Sequence, residues 1–295
     1  MDGVALTLVG HYGERVTTPS STLRGIPFAK MTGSGNDFVF FDGRDVLLER
    51  VTSPEMIQSI CNRNNGIGAD GIVVLEPAHP DADVRIHYFN SDGTPADLCG
   101  NATLCSTAMS AMLGLAADSG MTLTTPAGLI ASRLDEGLPE IDLQPVSAVR
   151  PTMPIDLGEG EERIGFAVAG IPHLVILCAD ADRVDVEGRG PLLRRHAASG
   201  PAGANVNWVS PLGGGQWRYR TFERGVEGET LACGTGAVAT AVLLTVWGVV
   251  TPSTITIRTS SGRDLEVRLA ATESGFWPTL RGEGRVVFRG VIESI

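Results

Sequence analysis

The stretch Thr221-Phe-Glu-Arg-Gly-Val-Glu-Gly-Glu-Thr-Leu-Ala-Cys-Gly-Thr-Gly-Ala-Val-Ala-Thr240 decides the fold. An apolar, strand-like run from Trp217 to Phe222 ends in a charged, glycine-rich turn. Cys233 follows, then Gly-Thr-Gly, then an apolar helical run. An earlier stretch, Phe89-Asn-Ser-Asp-Gly-Thr-Pro-Ala-Asp-Leu-Cys99-Gly-Asn-Ala102, has the same layout of strand, polar turn, Cys-Gly and helix. The polar residue after the phenylalanine is Asn90 in one stretch and Glu223 in the other. The cysteines lie 134 residues apart, close to half of the 295-residue chain. We read a duplicated half-domain that brings one thiol from each half to a shared site.

Working outward, Met31-Thr-Gly-Ser-Gly-Asn-Asp-Phe38 reads as a glycine loop entering a buried strand, with Asn36 and Asp37 at the strand mouth. Ser53 to Asn62 reads as a helix with Ser53 at the N-cap and Pro54 at its first position. Asn65-Gly-Ile-Gly-Ala-Asp-Gly71 is a tight turn; no Gly-Lys-Ser/Thr follows and no helix opens there, so a phosphate loop is rejected. Asp83 to Phe89 alternates as a strand that delivers Asn90 and the Cys99 turn. In the second half a turn is expected at Gly170-Ile-Pro-His173, and a short helix at Pro191 to Ala198 with the proline first. Ala204 to Val209 is a strand carrying Asn205, and the chain finishes in hairpins. Many short strands and few helices give an α+β class.

We expect an N-terminal extension over residues 1–24. The first half then covers 25–144 with Cys99, and the C-terminal strand at about 285–295 can return to it. The second half covers 145–284 with Cys233, and the boundary is marked by Pro145, Pro151 and Pro154.

Composition excludes several functions. A net charge of -11 argues against sequence-independent nucleic-acid binding and against an anionic membrane surface. The longest apolar stretch, Gly236 to Val250, is too short to span a bilayer. Residues 1–24 lack a basic region followed by an apolar run, so we expect no secretory leader. Five cysteines without a Cys-x-x-Cys fit neither a disulfide framework nor zinc, so we expect reduced cytoplasmic thiols and no metal. Lys30 is the single lysine, against 22 arginines. Pyridoxal phosphate chemistry needs a Schiff-base lysine, and only Lys30 could supply it.

Cys99 and Cys233 each sit just before a helix. A helix N-terminus presents unpaired N–H groups and a partial positive charge. It can lower a thiol's pKa and can bind a carboxylate. Two such termini facing each other would grip one carboxylate between two thiols. One thiolate could then remove an α-proton while the other thiol returns a proton from the opposite face. The developing carbanion needs strong help, and a preorganised donor contributes about 3–4 kcal/mol. Acid–base catalysis adds roughly 10²–10⁴-fold, and no cofactor is required. Buried structural cysteine is the competing reading; we keep it for Cys61, Cys105 and Cys178.

These residues carry a resemblance to the diaminopimelate epimerase family, the cofactor-independent enzymes that interconvert LL- and meso-diaminopimelate for lysine and peptidoglycan-precursor biosynthesis. It runs from about Ile26 to Ile292 on Gly33-Ser-Gly-Asn-Asp-Phe38, Gly66-Ile-Gly-Ala-Asp-Gly71, Asn90-Ser-Asp-Gly93 with Cys99-Gly-Asn101, Asn205-Val206, and Glu223-Arg-Gly225 with Cys233-Gly-Thr-Gly236. The resemblance implies two pseudo-symmetric α+β domains, each a barrel-like mixed or antiparallel sheet around a central helix, with the site in the cleft. It implies Cys99 and Cys233 as the two bases. Asn36, Asn90, Asn205, Glu223 and Arg224 would hold the distal amino and carboxylate groups. Gly100, Asn101, Gly234 and Thr235 would hold the reacting carboxylate, and His173 would support the site. A small amino-acid substrate is implied, and a homodimer is compatible. The chain departs from the usual family pattern at Asn64, Leu104 and Ile171. The alternatives are a cofactor-independent racemase of another amino acid, a silent binding protein using the same cleft, and a thiol redox protein.

Overall fold

The computed structural model describes residues 23–96, 99–251, 254–272 and 275–295. Most of the expected N-terminal extension lies outside these residues. Leu23 lies within them and is buried in the core.

The first half runs β1 (Pro27–Gly33), β2 (Asn36–Asp42), α1 (Leu48–Val51), α2 (Pro54–Cys61), β3 (Gly71–His79), β4 (Ala82–Asn90), α3 (Gly100–Met112), β5 (Met121–Thr125), β6 (Gly128–Asp135) and β7 (Leu138–Asp142). After β8 (Ser147–Arg150) come β9 (Glu161–Ala169), β10 (Ile171–Cys178), α4 (Val186–Arg194), β11 (Asn205–Gly213), β12 (Gln216–Glu223) and a short β13 (Gly228–Thr230). Then follow α5 (Gly234–Val246), β14 (Thr254–Arg258), β15 (Asp264–Thr272), β16 (Gly275–Arg281) and β17 (Arg285–Val291).

The strand order carries the duplication. In the first half β1–β2 is antiparallel, β2–β3 parallel, β3–β4 antiparallel and β4–β5 parallel, and β5–β6 and β6–β7 are antiparallel. The second half repeats that pattern with β9, β10, β11, β12, β14, β15 and β16. β7 pairs with β16 and joins the halves. β8 opens the second half and pairs with β9, while β17 follows the second half and returns to pair with β1 of the first.

Parallel neighbours need a crossover, and the longest helices supply two of them. α3 links β4 to β5, and α5 links β12 to β14. Both are buried on nearly every side, and the hydroxyls of Thr103, Ser106 and Thr107 in α3 and of Thr240 in α5 are satisfied by carbonyls one turn back. Gly100 to Ser110 are all buried in α3, and α5 is buried from Gly236 to Leu244. Side chains of both helices share one core, with Leu104 and Met109 from α3 and Val238 and Leu243 from α5. Two satellite cores lie outside the sheets. α2 packs Ile57 and Ile60 with Val39 and Ile72, and α4 packs Val186 and Leu193 with Val206 and Phe222. Ser53 caps α2 as expected, accepting the Met56 N–H.

Two local expectations are corrected. The helix expected at Pro191 to Ala198 is instead Val186–Arg194. The Asp185 side chain accepts the Gly188 N–H and starts the helix earlier, leaving Pro191 inside it. The turn at Gly170 to His173 shrinks to Gly170 (φ +73°), and His173 lies in β10 opposite Asn205.

The single lysine is committed to structure. Lys30 is 6% exposed, and its Nζ lies 2.7 Å from Asp37 and donates to the Gly68 carbonyl. Arg63 grips the same carboxylate through two bonds of 3.0 and 2.8 Å. Burial opposes the charge on Asp37, but Arg63 and Lys30 outweigh it and hold the carboxyl down to about 2. Asp37→Asn strands the buried ammonium, so we predict a loss of about 3 kcal/mol in urea unfolding at neutral pH. A lowered folded pKa contributes stability above the unfolded value and loses it on acidification. The gap between parent and variant should therefore close as pH falls from 3.8 toward about 2.

Candidate active site

The two helix starts meet. Cys99 is the N-cap of α3 and Cys233 the N-cap of α5, both with extended backbone. A Cβ at Gly100 would lie 3.7 Å from the Gly234 Cα, and one at Gly234 would lie 3.6 Å from the Gly100 Cα. Leu280 of β16 wedges beneath both, 3.3 and 2.9 Å from those positions. Only glycine lets the backbones approach this closely. The hairpin tip between β1 and β2 closes against the second half: a Cβ at Gly35 (φ +117°) would lie 2.7 Å from Ser261 Cβ and 2.8 Å from Leu231 Cβ.

Strand ends deliver the remaining residues. Asn36 opens β2, Asn90 closes β4, Asn205 opens β11 and Glu223 closes β12. On the first-half side Asn101 Nδ2 donates to Asn36 Oδ1 at 2.6 Å, and Asn36 Nδ2 donates to Asp70 Oδ2 at 3.1 Å. On the second-half side Asn205 Oδ1 accepts the Arg224 backbone N–H at 2.8 Å, and its Nδ2 faces Cys233 Sγ at 3.8 Å. His173 Nε2 lies 3.1 Å from Thr235 Oγ1, which lies 3.6 Å from Cys233 Sγ. Asn90 differs from the others: its Nδ2 donates to Thr94 within its own turn, at 3.1 Å. The Arg224 guanidinium has no carboxylate partner among the described residues. Its loop is held by Glu227, which bonds Arg194 at 2.9 Å and Arg195 at 2.7 Å.

Protonation follows burial. Cys99 is half-buried and Cys233 buried. Burial pushes the Cys99 thiol up to about 11, although the Ala102 and Asn101 N–H groups and the Tyr88 hydroxyl favour its thiolate. Burial and then the Glu223 carboxylate push Cys233 well above the ordinary thiol value, against the Thr235 hydroxyl and the Gly236 N–H. The helix N-terminus therefore acts in the expected direction, but desolvation outweighs it. Burial also raises Glu223, opposed by hydrogen bonds from Thr230 and the Cys233 thiol. Cys99, Cys233 and Glu223 thus lie within one another's electrostatic reach. Burial, reinforced by Arg224, lowers His173 to about 3 and keeps it neutral. Cys61 and Cys178 lie in the two satellite cores, where burial pushes both thiols up to about 12; Cys105 is enclosed in α3.

Several neighbours were missed in the sequence. Tyr88 was read only as strand alternation, yet its hydroxyl serves Cys99. Asn207 lies two residues after Asn205 on the same face of β11, and that period-2 spacing could have found it. Thr230 bonds the Glu223 carboxylate across the β12–β13 turn. Among the described residues no cluster of three or more His, Cys, Asp or Glu could hold a metal ion, and no helix is long and apolar enough to cross a membrane.

The chain is 68% identical over 276 residues to the diaminopimelate epimerase of Gemmatimonas aurantiaca, covering 91% of this chain and 99% of that one. A phenazine biosynthesis protein of the PhzF family from Bacillus anthracis shares the fold at a TM-score of 0.70 and 14% identity, covering 90% of this chain and 98% of that one. A hydroxyproline epimerase from Agrobacterium vitis, solved with bound trans-4-hydroxy-L-proline, matches at a TM-score of 0.65 and 18% identity, covering 91% and 92%. The family profile for diaminopimelate epimerase matches residues 28–143 and 166–275, and the chain belongs to that family.

Proposed function

We propose that the chain interconverts LL- and meso-2,6-diaminopimelate, with Cys99 and Cys233 exchanging the α-proton from opposite faces. This is isomerase chemistry on a small amino acid, in lysine and peptidoglycan-precursor biosynthesis. The observation that carries the reading is the meeting of two cysteine-capped helix starts at Gly100 and Gly234. A carboxylate there would take N–H groups of Gly100, Asn101, Gly234 and Thr235 together with two positive helix ends. Those donors would stabilise the charge that develops as the α-proton leaves.

The reacting carbon lies between two thiols that start protonated. The one acting as base must lose its proton before it can act, and an amino acid's ammonium beside it would offset the burial that holds it neutral. In our reading Glu223, already hydrogen-bonded by the Cys233 thiol, receives the Cys233 proton. Arg224, without a carboxylate partner among the described residues, would take the distal carboxylate of the substrate. Asn36, Asn90 and Asn205 would fix the distal amino group. A distal carboxylate favours a diamino diacid over an apolar amino acid, and the chemistry calls for no cofactor.

With LL-diaminopimelate in deuterated buffer and a reductant, NMR should show exchange at one α-carbon and appearance of the meso form. Cys99→Ala and Cys233→Ala should each lower the rate by roughly 10²–10⁴-fold. Full activity in either variant would remove that thiol from the chemistry; exchange only with another amino acid would change the substrate.

Alkylation of Cys99 by iodoacetamide should rise with pH toward a midpoint near 11. Glu223→Gln removes a charge that opposes the thiolate, so the midpoint should fall. An unchanged midpoint would show that Glu223 does not act on the thiol.

A further inference from the structure

Behind Cys233 a buried hydrogen-bond chain fixes which atoms carry protons. Asn207 of β11 is fully buried. Its Nδ2 lies 2.8 Å from the Leu174 carbonyl oxygen. A carbonyl only accepts, so that end of the amide is the NH₂ group. The other end is fixed independently: Oδ1 accepts the Tyr219 hydroxyl at 2.7 Å and the Thr221 hydroxyl at 2.9 Å. The second Nδ2 hydrogen faces His173 Nδ1 at 3.3 Å. Nδ1 must therefore accept, and a neutral ring keeps its one hydrogen on Nε2. Nε2 faces Thr235 Oγ1 at 3.1 Å, so Thr235 accepts there and its own hydrogen can turn to Cys233 Sγ, 3.6 Å away. The first turn of α5 seals the chain. A Cβ at Gly236 would lie 2.2 Å from Tyr219 Oη and 2.5 Å from Asn207 Oδ1.

We propose that Asn207 is a positioning residue for chemistry at Cys233: it locks His173 as the Nε2–H tautomer, and His173 turns the Thr235 hydroxyl onto the sulfur. The inference rests on Cys233 acting as one of the two bases. It makes His173 a fixed donor and removes it as a proton acceptor. The charged group facing the ring is Arg224, and its sign also opposes an imidazolium. As Cys233 ionises, the hydroxyl already aimed at it strengthens into a charge-assisted bond.

The test reads protons and thiol reactivity and does not need turnover. In the full chain labelled with ¹⁵N-histidine, the long-range ¹H–¹⁵N pattern of His173 should be that of the Nε2–H tautomer and should not titrate between about pH 5 and 8. Asn207→Asp offers Nδ1 an acceptor. It should move the hydrogen to Nδ1 and slow Cys233 alkylation, read by mass spectrometry of its peptide, about tenfold. Thr235→Val leaves the amide and ring in place; it should slow alkylation similarly without changing the tautomer, and Thr235→Ser should restore it. Should Asn207→Asp fail to fold, the Thr235 pair still decides. An Nδ1–H tautomer in the parent chain, or parental alkylation in Thr235→Val, overturns the proposal. A chain that passes these tests but lacks epimerase activity would count against the reaction and not against the relay.

Discussion

Gly100 and Gly234 meet with the bare starts of two buried helices, and the rest of the molecule is arranged so that they can. Two positive helix ends repel, and each carries N–H groups without helical partners. The arrangement holds because each helix is enclosed by its own sheet and because β7–β16 pairing fixes one half against the other. The return of β17 to pair with β1 adds a second tie. Leu280 lies on β16, one of the joining strands, and touches both helix starts. The energy that holds the termini together comes from the apolar surface of α3 and α5 in a shared core.

That geometry turns two sets of helix N–H donors toward one place and sets a conflict for the thiols. The N–H donors favour charge at Cys99 and Cys233, while burial disfavours it, and burial wins. Glu223 adds to the same conflict, because its carboxylate opposes a neighbouring thiolate.

The sequence made the duplication legible because both halves keep the same order of strand, turn, Cys-Gly and helix, and each of those has a local cause. The Cys positions, the paired helices and the strand ends at Asn36, Asn90, Asn205 and Glu223 follow from that order. Local signals failed where a longer-range contact overrode them. Pro191 looked like a helix start, but the Asp185 cap begins the helix earlier. His173 looked like a turn residue, but pairing with β11 draws it into a strand and buries it. The pairing of β8 with β9 has no local signature. Asn207 and Tyr88 carried only strand alternation, which gives a face and not a partner. The raised thiols were also hidden, since a cap position reveals the dipole but not the degree of desolvation.

In the proposed mechanism two thiols act from opposite faces of one bound amino acid. It is tested most directly by the deuterium content of substrate and product at low conversion in deuterated water, starting from each stereoisomer in turn. Two bases predict product labelled at the inverted α-carbon while recovered substrate stays unlabelled, in both directions. Equal label in substrate and product, or product that keeps its original proton, would mean a single base and would contradict the account.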